Sequence, residues 1–338
     1  MTDIMNSTSQ VWPALPFAKW KETAKTLHMW TQVVGKIRLS LTPWTNHSWH
    51  VTLYLTARGL STSPIYVGPR ALQIDFDFVD HLLRIQTGGT TSVSSQKLMG
   101  RDRARPSSEE EKIIALAPKS VATFYGEVMA ALGELEVPVE INTTPNEVDP
   151  AIPFEQNRTD SAYDPEYANR FWRVLLQSDR VFKEFRSEFC GKCSPVHFFW
   201  GSFDLAVTRF SGRRAPQHPG GVPHLPDAVA REAYSHEVSS LGFWPGNEMM
   251  PDPVFYSYAY PEPPGFSDAK VRPSSASYNP QLKEFVLPYE EMRKTGSPDA
   301  ALLEFAHSTY DGASTLGNWD RAALTEVKPR LHSRPQRS

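Results

Sequence analysis

Residues 194–210 read Ser-Pro-Val-His-Phe-Phe-Trp-Gly-Ser-Phe-Asp-Leu-Ala-Val-Thr-Arg-Phe, and the interpretation of the fold starts from this stretch. Its apolar residues Phe203, Leu205 and Val207 alternate with smaller or more polar ones. A period of two is typical of a β-strand that buries one face against a core. The pattern therefore predicts a strand over 196–210.

An earlier segment has the same pattern, which suggests an internal duplication. Residues 51–59 (Val-Thr-Leu-Tyr-Leu-Thr-Ala-Arg-Gly) align with 203–212, and a helix and a Gly-Lys pair precede both segments, at Gly35 and Gly191. We predict an α+β fold of two similar helix–antiparallel sheet–helix units with a cleft between them. Coincidence is the alternative, because glycine commonly follows a helix and exposed strands commonly alternate.

Hydrophobic periodicity and capping residues place the other elements. The pair Asp164-Pro165 is typical of a helix start. Predicted helices cover 18–34, 118–134, 165–191 and 298–310, and predicted strands cover 36–41, 49–57, 71–78, 82–87, 137–142, 196–210, 254–260 and 283–288. The resulting divisions are a first unit at 1–150, a second unit at 151–325, a tail at 326–338, a surface loop at 88–111 and a long His/Pro-rich loop at 213–253.

The composition excludes several classes of protein. The 338 residues include 29 Pro, but 12 % aromatic residues can build a core, and two Cys exclude a disulfide framework. A net charge of −3 gives no basic excess for nucleic acid. Apolar runs are shorter than the ~20 residues of a membrane helix, and the N-terminus lacks signal-peptide features. We expect a cytoplasmic protein; its oligomeric state is open.

Several strings resemble an uncharacterised bacterial family of the domain-of-unknown-function type. They are Trp-Pro-Ala-Leu-Pro at 12–16, Thr-Leu-His-Met-Trp-Thr-Gln-Val-Val-Gly-Lys at 26–36, the 194–205 segment, Tyr-Ser-His-Glu at 234–237 and Gly-Phe-Trp-Pro-Gly at 242–246. The resemblance spans nearly the whole chain. It implies a bacterial cytosolic protein but transfers no activity, cofactor or catalytic residue.

Histidines concentrate in the second half and raise the question of a metal. Imidazole and carboxylate groups suit Zn, Fe or Mn. The candidate ligands are His197, His218, His224, His236 and Glu237. Their spacing matches no metalloenzyme signature, and exposed or hydrogen-bonded histidines explain the pattern equally simply. We therefore assign no metal ligands and leave the cofactor unknown.

Acid–base chemistry is the second hypothesis for these side chains. A histidine that titrates near neutral pH can act as a general base beside a carboxylate. The candidate catalytic residues are His28, His50, His197, Asp204, His236 and Glu237. Asp204 is the most informative, since an aspartate inside a strand is unfavourable unless it is partnered or exposed. Ordinary hydrogen bonding on a polar strand face is the alternative.

Aromatic residues near these groups could line a ligand pocket. Tyr256 and Tyr258 share one face of a predicted strand, Trp200 precedes the predicted loop 213–253, and Trp244 lies within that loop. Core packing is the alternative, because buried aromatic side chains most often serve the core. The Cys190-Gly-Lys-Cys193 motif lies at a helix C-terminus, where the helix dipole disfavours a thiolate, so a redox role is not favoured.

Together these patterns predict a small-molecule pocket between the two halves, covered by loop 213–253. The pocket would serve either ligand binding or a His/carboxylate acid–base enzyme. The alternative is a non-catalytic interaction module with an exposed aromatic surface. The sequence leaves open which ligand binds and whether any reaction is catalysed.

Overall fold

The structure, a computed structural model, describes residues 11–88, 111–248 and 250–325. Most of the predicted loop 88–111 and the predicted tail 326–338 lie outside these ranges. The described residues form seven α-helices and two antiparallel six-stranded sheets, which confirms the α+β class. Two sheets of equal strand number are compatible with duplicated units. The division into units at 1–150 and 151–325 remains a prediction.

The first half begins with a long helix and continues into a meandering sheet. Helix α1 spans Phe17–Leu41. The strands are β1 (Tyr54–Leu55), β2 (Gly59–Ser61), β3 (Ile65–Val67), β4 (Arg70–Asp77), β5 (Leu82–Gly88) and β6 (Glu111–Ala115), and helix α2 (Val121–Glu134) follows them. The sheet order is β1-β2-β4-β5-β6, and β3 also pairs with β4.

The second half also begins with a long helix and also contains a six-stranded sheet. Helix α3 spans Pro165–Arg186, and the side chain of Asp164 caps it by accepting hydrogen bonds from the first-turn amides, as predicted. Then come β7 (His197–Phe199), β8 (Asp204–Arg214), α4 (Asp227–Ala233), β9 (His236–Trp244), β10 (Val254–Tyr260), β11 (Ser277–Asn279), β12 (Glu284–Pro288), α5 (Tyr289–Arg293), α6 (Pro298–Leu316) and α7 (Arg321–Leu324). The sheet order is β11-β12-β10-β9-β8-β7.

The two sheets meet edge to edge at one pair of residues. The amide of Leu53 donates to the carbonyl of Phe198 at 2.9 Å, and the amide of Phe198 donates back at 2.8 Å. Leu53 immediately precedes β1 and Phe198 is the middle residue of β7, so the bridge links the edge strands of both sheets. A single core of buried side chains runs beneath both halves.

Helix α1 is longer than its sequence pattern predicts. The predicted stop at Gly35 and the predicted strand 36–41 are wrong, since the helix continues to Leu41. Gly35 lies in the helix interior, and the indole of Trp200 packs directly on it. A Cβ at this position would lie 2.2 Å from the ring. Gly35 therefore serves close packing between α1 and the second half, not helix termination.

Two predicted segments are divided differently in the structure. The predicted strand 196–210 is a hairpin of β7 and β8, because the chain turns between them, with Phe203 in the left-handed region at φ 61°. The predicted loop 213–253 ends at residue 235, since 236–244 form strand β9 in the middle of the sheet. The apolar residues 238, 241 and 243 are buried there by neighbouring strands. The predicted strand 137–142 is not a strand.

No helix in the described part of the chain is both long and apolar enough to cross a membrane.

Candidate functional site

A cavity of about 800 Å³ lies on the second sheet, on the face turned away from the core. Its floor is formed by strands β7 to β10 and β12. Its walls come from the end of α1 and from two segments of the first half, 44–51 and 142–147. Residues 222–234 cover it, including helix α4. Both halves of the chain therefore contribute to this cavity.

Strand alternation determines which side chains face the cavity. On β8, Leu205 and Val207 are buried in the core, whereas Asp204, Ala206 and Thr208 line the cavity. The same alternation places Ser240 of β9, Tyr256 and Tyr258 of β10 and Glu284 of β12 on the cavity face. A strand that buries one face and presents polar groups on the other is the ordinary consequence of a period of two.

Asp204 is the centre of the polar floor. The hydroxyl of Tyr256 donates a hydrogen bond to its Oδ2. The two residues lie on β8 and β10, so the tyrosine side chain must cross the intervening strand β9. It crosses at Gly242, the register partner of Tyr256, where a Cβ would lie 2.2 Å from the ring carbon Cζ. The Tyr256–Asp204 contact therefore depends on a glycine at position 242.

The environment of Asp204 favours its neutral form. Burial raises the pKa of its carboxyl to about 7, the hydrogen bond from Tyr256 opposes this, and the nearby Glu147 adds to the increase. The side chain is only 6 % exposed. A carboxyl that titrates near pH 7 is present in both protonation states and can donate or accept a proton.

Glu284 is a second carboxyl on the cavity floor. It follows from the β10–β12 register that Glu284 lies opposite Tyr258. Burial raises the pKa of Glu284 to about 7, and the charge of Asp204 contributes. Within the described residues, its carboxyl forms neither an ion pair nor a hydrogen bond. Glu284 is therefore a half-buried acid without a hydrogen-bond or ion-pair partner among the described residues.

Glu147 brings a third carboxyl from the first half. It packs against Gly201, where a Cβ would lie 2.2 Å from its Oε1, and it accepts a hydrogen bond from the hydroxyl of Ser202. Its backbone amide donates to the carbonyl of Pro223 at 3.1 Å, which ties it to the cover. Burial raises the pKa of Glu147.

Hydroxyl groups continue the polar floor away from Asp204. The hydroxyls of Tyr234 and Tyr258 lie 3.0 Å apart, and those of Thr208 and Ser240 lie 2.9 Å apart. Ser240 also hydrogen-bonds Tyr258. This network links the cover, through Tyr234, to strands β8, β9 and β10. It fixes the orientation of the tyrosine rings that line the cavity.

Two of the basic groups that line the cavity, Lys36 and His197, do not pair with its acids. Lys36 donates from Nζ to the carbonyl of Thr144 at 2.8 Å, and burial lowers its pKa to about 8. His197 is 1 % exposed, its Nδ1 has no hydrogen-bond partner among the described residues, and burial lowers its pKa to about 3. His197 is therefore neutral at physiological pH.

The cover is attached to the first half by hydrogen bonds. A carboxylate oxygen of Glu232 accepts from the backbone amide of His47 at 2.6 Å, and the ring Nδ1 of His47 lies 3.0 Å from the carbonyl of Ala233. The side-chain amide of Asn146 donates to the carbonyl of His224 at 2.5 Å. These contacts hold α4 and the segment before it over the cavity.

Comparison with known proteins identifies the family. The model of a family of unknown function, DUF5996, matches residues 12–104 and 90–326. The chain belongs to this family. The match confirms the family resemblance seen in the sequence, while bacterial origin remains an expectation. No curated protein and no solved structure matches the chain.

The cavity of this DUF5996 member contains some of the predicted site residues and not others. Of the six candidate catalytic residues, His197 and Asp204 line it. All four candidate ligand-binding aromatics line it as well: Trp200, Trp244, Tyr256 and Tyr258. Their proximity is a structural observation, and their roles remain predictions.

The other four candidate catalytic residues lie outside the cavity. The ring Nε2 of His28 is 2.8 Å from the carbonyl of Gly201, and the ring stacks on Phe203. The Nδ1 of His50 accepts from the amide of Thr45 at 3.2 Å. His236 contacts the hydroxyl of Ser235 at 3.1 Å, and Glu237 accepts from Arg213 at 2.7 Å. Each of these four residues has a hydrogen-bond partner close by. The structure therefore does not bring them into the cavity with His197 and Asp204.

The candidate metal ligands are dispersed. His197 and His224 line the cavity, His218 stacks on Tyr234, and Glu237 pairs with Arg213. Across the described ranges, no group of three His, Cys, Asp or Glu side chains is placed to hold a metal ion.

Sequence reasoning missed Glu147, Glu284 and Lys36. The strand pattern of 284–288 could have placed Glu284 on the face of Tyr258 if the β10–β12 register had been known. Glu147 lies in a segment without regular structure, so no periodicity marks it. The sequence pattern places Lys36 in a strand, and its position in the cavity wall depends on the full length of α1.

Proposed function

We propose that the protein binds a small organic molecule in this cavity and exchanges a proton with it through Asp204. The main observation in support of this proposal is the hydrogen-bonded pair of Tyr256 and Asp204 on the floor of a cavity of about 800 Å³. Ligand cavities typically measure about 300–1,000 Å³ and combine apolar walls with a few convergent polar groups. The aromatic side chains Trp200 and Trp244 supply such walls.

The chemistry available to Asp204 follows from its surroundings. The pKa of its carboxyl, raised to about 7 by burial, provides both an acid and a base near neutral pH. The pKa of Tyr256 is raised well above its ordinary value by burial and by Asp204, so the phenol stays a hydrogen-bond donor. In the proposed proton exchange, Tyr256 stabilises the carboxylate form of Asp204 once its proton has left. A residue with these properties in a cleft is a candidate functional residue.

Ligand-dependent thermal stabilisation tests this proposal. A molecule that binds only the folded state raises the unfolding temperature, and the increase grows with the logarithm of its concentration relative to its Kd. A chemically diverse set of small molecules is screened with wild type, with Asp204→Asn and with the matched control Asp268→Asn. Asp268 is exposed and lies outside the cavity. We expect at least one compound to stabilise wild type and the control but not Asp204→Asn. Equal stabilisation of all three proteins would exclude Asp204 from the site.

One observation favours the alternative of a protein-interaction module. Trp44 lines the mouth of the cavity and is 56 % exposed. Exposed apolar surface can mark a binding site for another protein. Under this alternative, Trp44→Ser would abolish partner binding, whereas no small molecule would stabilise the wild type in the thermal assay. The cytoplasmic location and the absence of nucleic-acid binding remain predictions.

A further inference from the structure

The chemical class of the ligand can be inferred from the charges around the cavity. Asp204, Glu147 and Glu284 bring three carboxyl groups to it from three separate segments of the chain. These groups interact electrostatically, since Glu147 affects the pKa of Asp204 and Asp204 affects that of Glu284. Ionising several enclosed acids together is costly unless a positive charge compensates them.

Within the described residues, the protein supplies no cation to these acids. None of the three carboxyl groups lies within ion-pairing distance of a Lys, Arg or His side chain there. The one described Lys or Arg side chain that lines the cavity is Lys36, and its ammonium group is bound to the carbonyl of Thr144 at 2.8 Å. The described part of the protein therefore does not supply the positive charge that would balance the acids.

Aromatic rings surround the same space. Tyr256 and Tyr258 lie nearly parallel, with ring centroids 6.1 Å apart. Tyr234, Trp200 and Trp244 also line the cavity. The faces of such rings attract cations, and they also pack against apolar groups. Leu39, Trp44 and Leu282 line the cavity while remaining exposed, so they form an apolar mouth.

A second, independent feature of the cavity is a buried polar atom without a hydrogen-bond partner among the described residues. His197 lines it and is 1 % exposed, yet its Nδ1 has no partner among the described residues. Buried polar atoms without a partner are uncommon in native proteins and call for an explanation. A hydrogen bond from a ligand N–H group to this atom would require the imidazole ring to turn toward the cavity.

We propose that the ligand is an organic cation, a protonated amine with an apolar body, whose ammonium group is attracted into the cavity by the charges of Asp204, Glu147 and Glu284. The apolar body lies against the tyrosine and tryptophan rings and points to the mouth formed by Leu39, Trp44 and Leu282. This inference rests on the proposed function, because it names the class of molecule that the cavity takes.

Proton release follows from this arrangement. Without ligand, the carboxyls of Asp204 and Glu284 are partly protonated near pH 7, because burial raises the pKa of each to about 7. A bound cation favours the ionised form of both groups. Binding at pH 7 should therefore release protons to the buffer.

Three probes of similar shape and different charge test the inference. Phenethylammonium is cationic, 2-phenylethanol is neutral and phenylacetate is anionic. Isothermal titration calorimetry at pH 7, in two buffers with different ionisation enthalpies, measures affinity and proton release together. We expect phenethylammonium to bind at least about tenfold more tightly than the alcohol and to release protons. Phenylacetate should bind more weakly than the alcohol.

Variants assign the effect to the carboxyl groups. Glu284→Gln and Glu147→Gln should each weaken phenethylammonium binding by about tenfold and leave 2-phenylethanol binding unchanged. Glu291→Gln, an exposed change outside the cavity, is the matched control and should alter neither. If Glu284→Gln does not fold, as judged by circular dichroism, Glu147→Gln alone decides.

The outcomes separate this inference from the proposed function. If 2-phenylethanol or phenylacetate binds as tightly as phenethylammonium, the cation inference is overturned but the cavity remains a small-molecule site. Unchanged phenethylammonium affinity in a folded glutamine variant also overturns it. If none of the three probes and no member of the wider compound set binds, both proposals fail.

Discussion

The hydroxyl of Tyr256 reaches Asp204 by crossing strand β9 at Gly242. The contact joins three adjacent strands of the second sheet through one side chain. It also gives the carboxyl of Asp204, a residue that is 6 % exposed, a hydrogen-bond donor on the floor of the cavity. The absence of a side chain at position 242 is therefore a requirement of the site.

Gly242→Ala should disrupt this contact and destabilise the protein. The added Cβ would lie 2.2 Å from the Tyr256 ring, so the ring must move away from Asp204. We expect a loss of about 1–3 kcal/mol, typical of overpacking, measured by urea unfolding. Tyr256→Phe, which removes only the hydroxyl, is the comparison that separates the steric effect from the lost hydrogen bond. Wild-type stability in Gly242→Ala would contradict the described packing.

Gly35→Ala should loosen the contact between α1 and the cavity wall. A Cβ at position 35 would lie 2.2 Å from the indole of Trp200, whose Nε1 donates to the carbonyl of Val51 at 2.7 Å. We expect a destabilisation of about 1–3 kcal/mol, measured by chemical denaturation. Gly126→Ala is the matched control in helix α2, because nothing packs within 4 Å of the position that its Cβ would take. The control should be stabilised by about 0.5–1 kcal/mol, and an equal effect in both variants would refute the prediction.

The buried carboxyls should make stability depend on pH in a defined direction. The pKa of Asp204 is about 7 in the folded protein and near 3.8 when exposed, so the folded state binds more protons between these values. Its contribution to stability therefore falls as pH rises from about 4 to 7 and is level above that. Asp204→Asn should remove this dependence. The free energy of unfolding of the variant, relative to that of wild type, should therefore rise by on the order of 2–4 kcal/mol between pH 4 and pH 8.

Buried histidines change stability with pH in the opposite direction from Asp204. The pH profile of wild type must therefore be compared with that of the variant. Burial lowers the pKa of His28 to about 4 and that of His197 to about 3. Both therefore contribute stability that is lost as pH falls below about 6.5. Subtracting the two denaturation profiles cancels these histidines. If the difference in free energy of unfolding between variant and wild type does not change between pH 4 and pH 8, the pKa of Asp204 is not raised.

The two cysteines should differ in reactivity. Cys190 is exposed, whereas burial raises the pKa of the Cys193 thiol to about 11. The thiolate is the reactive form, so Cys193 should resist alkylation at pH 8. Mass spectrometry after iodoacetamide treatment should find one modified cysteine in the native protein and two after unfolding. Rapid modification of Cys193 in the native state would contradict its described burial.

The sequence predicts the cavity floor better than its walls. Alternation in β8 and β10 places Asp204, Tyr256 and Tyr258 on strand faces, because residues two apart share a side of a sheet. It cannot show that Tyr256 reaches Asp204, since that contact depends on the order of β8, β9 and β10 and on Gly242. Strand order is set by long-range packing, which a single sequence does not display.

The remaining errors have a common physical cause. The segment 36–41 alternates weakly, which is typical of a strand, but packing of α1 against both halves extends the helix through it. Strand β9 resembles part of a loop in sequence, because Pro- and Gly-rich residues flank it on both sides. Glu147 lies in irregular structure and is placed by Gly201 and Ser202, which are distant in sequence. In each case tertiary contacts override the local pattern.

The most direct test of the account is the pKa of Asp204 measured by NMR in the free and ligand-bound protein. Aspartate labelled with ¹³C at the carboxyl carbon is titrated, and Asp204→Asn identifies the resonance. We predict a midpoint near pH 7 in the free protein, as burial of Asp204 implies, and a lower midpoint with phenethylammonium bound. A midpoint near pH 4 in the free protein, or one that a bound ligand does not move, would contradict the central claim.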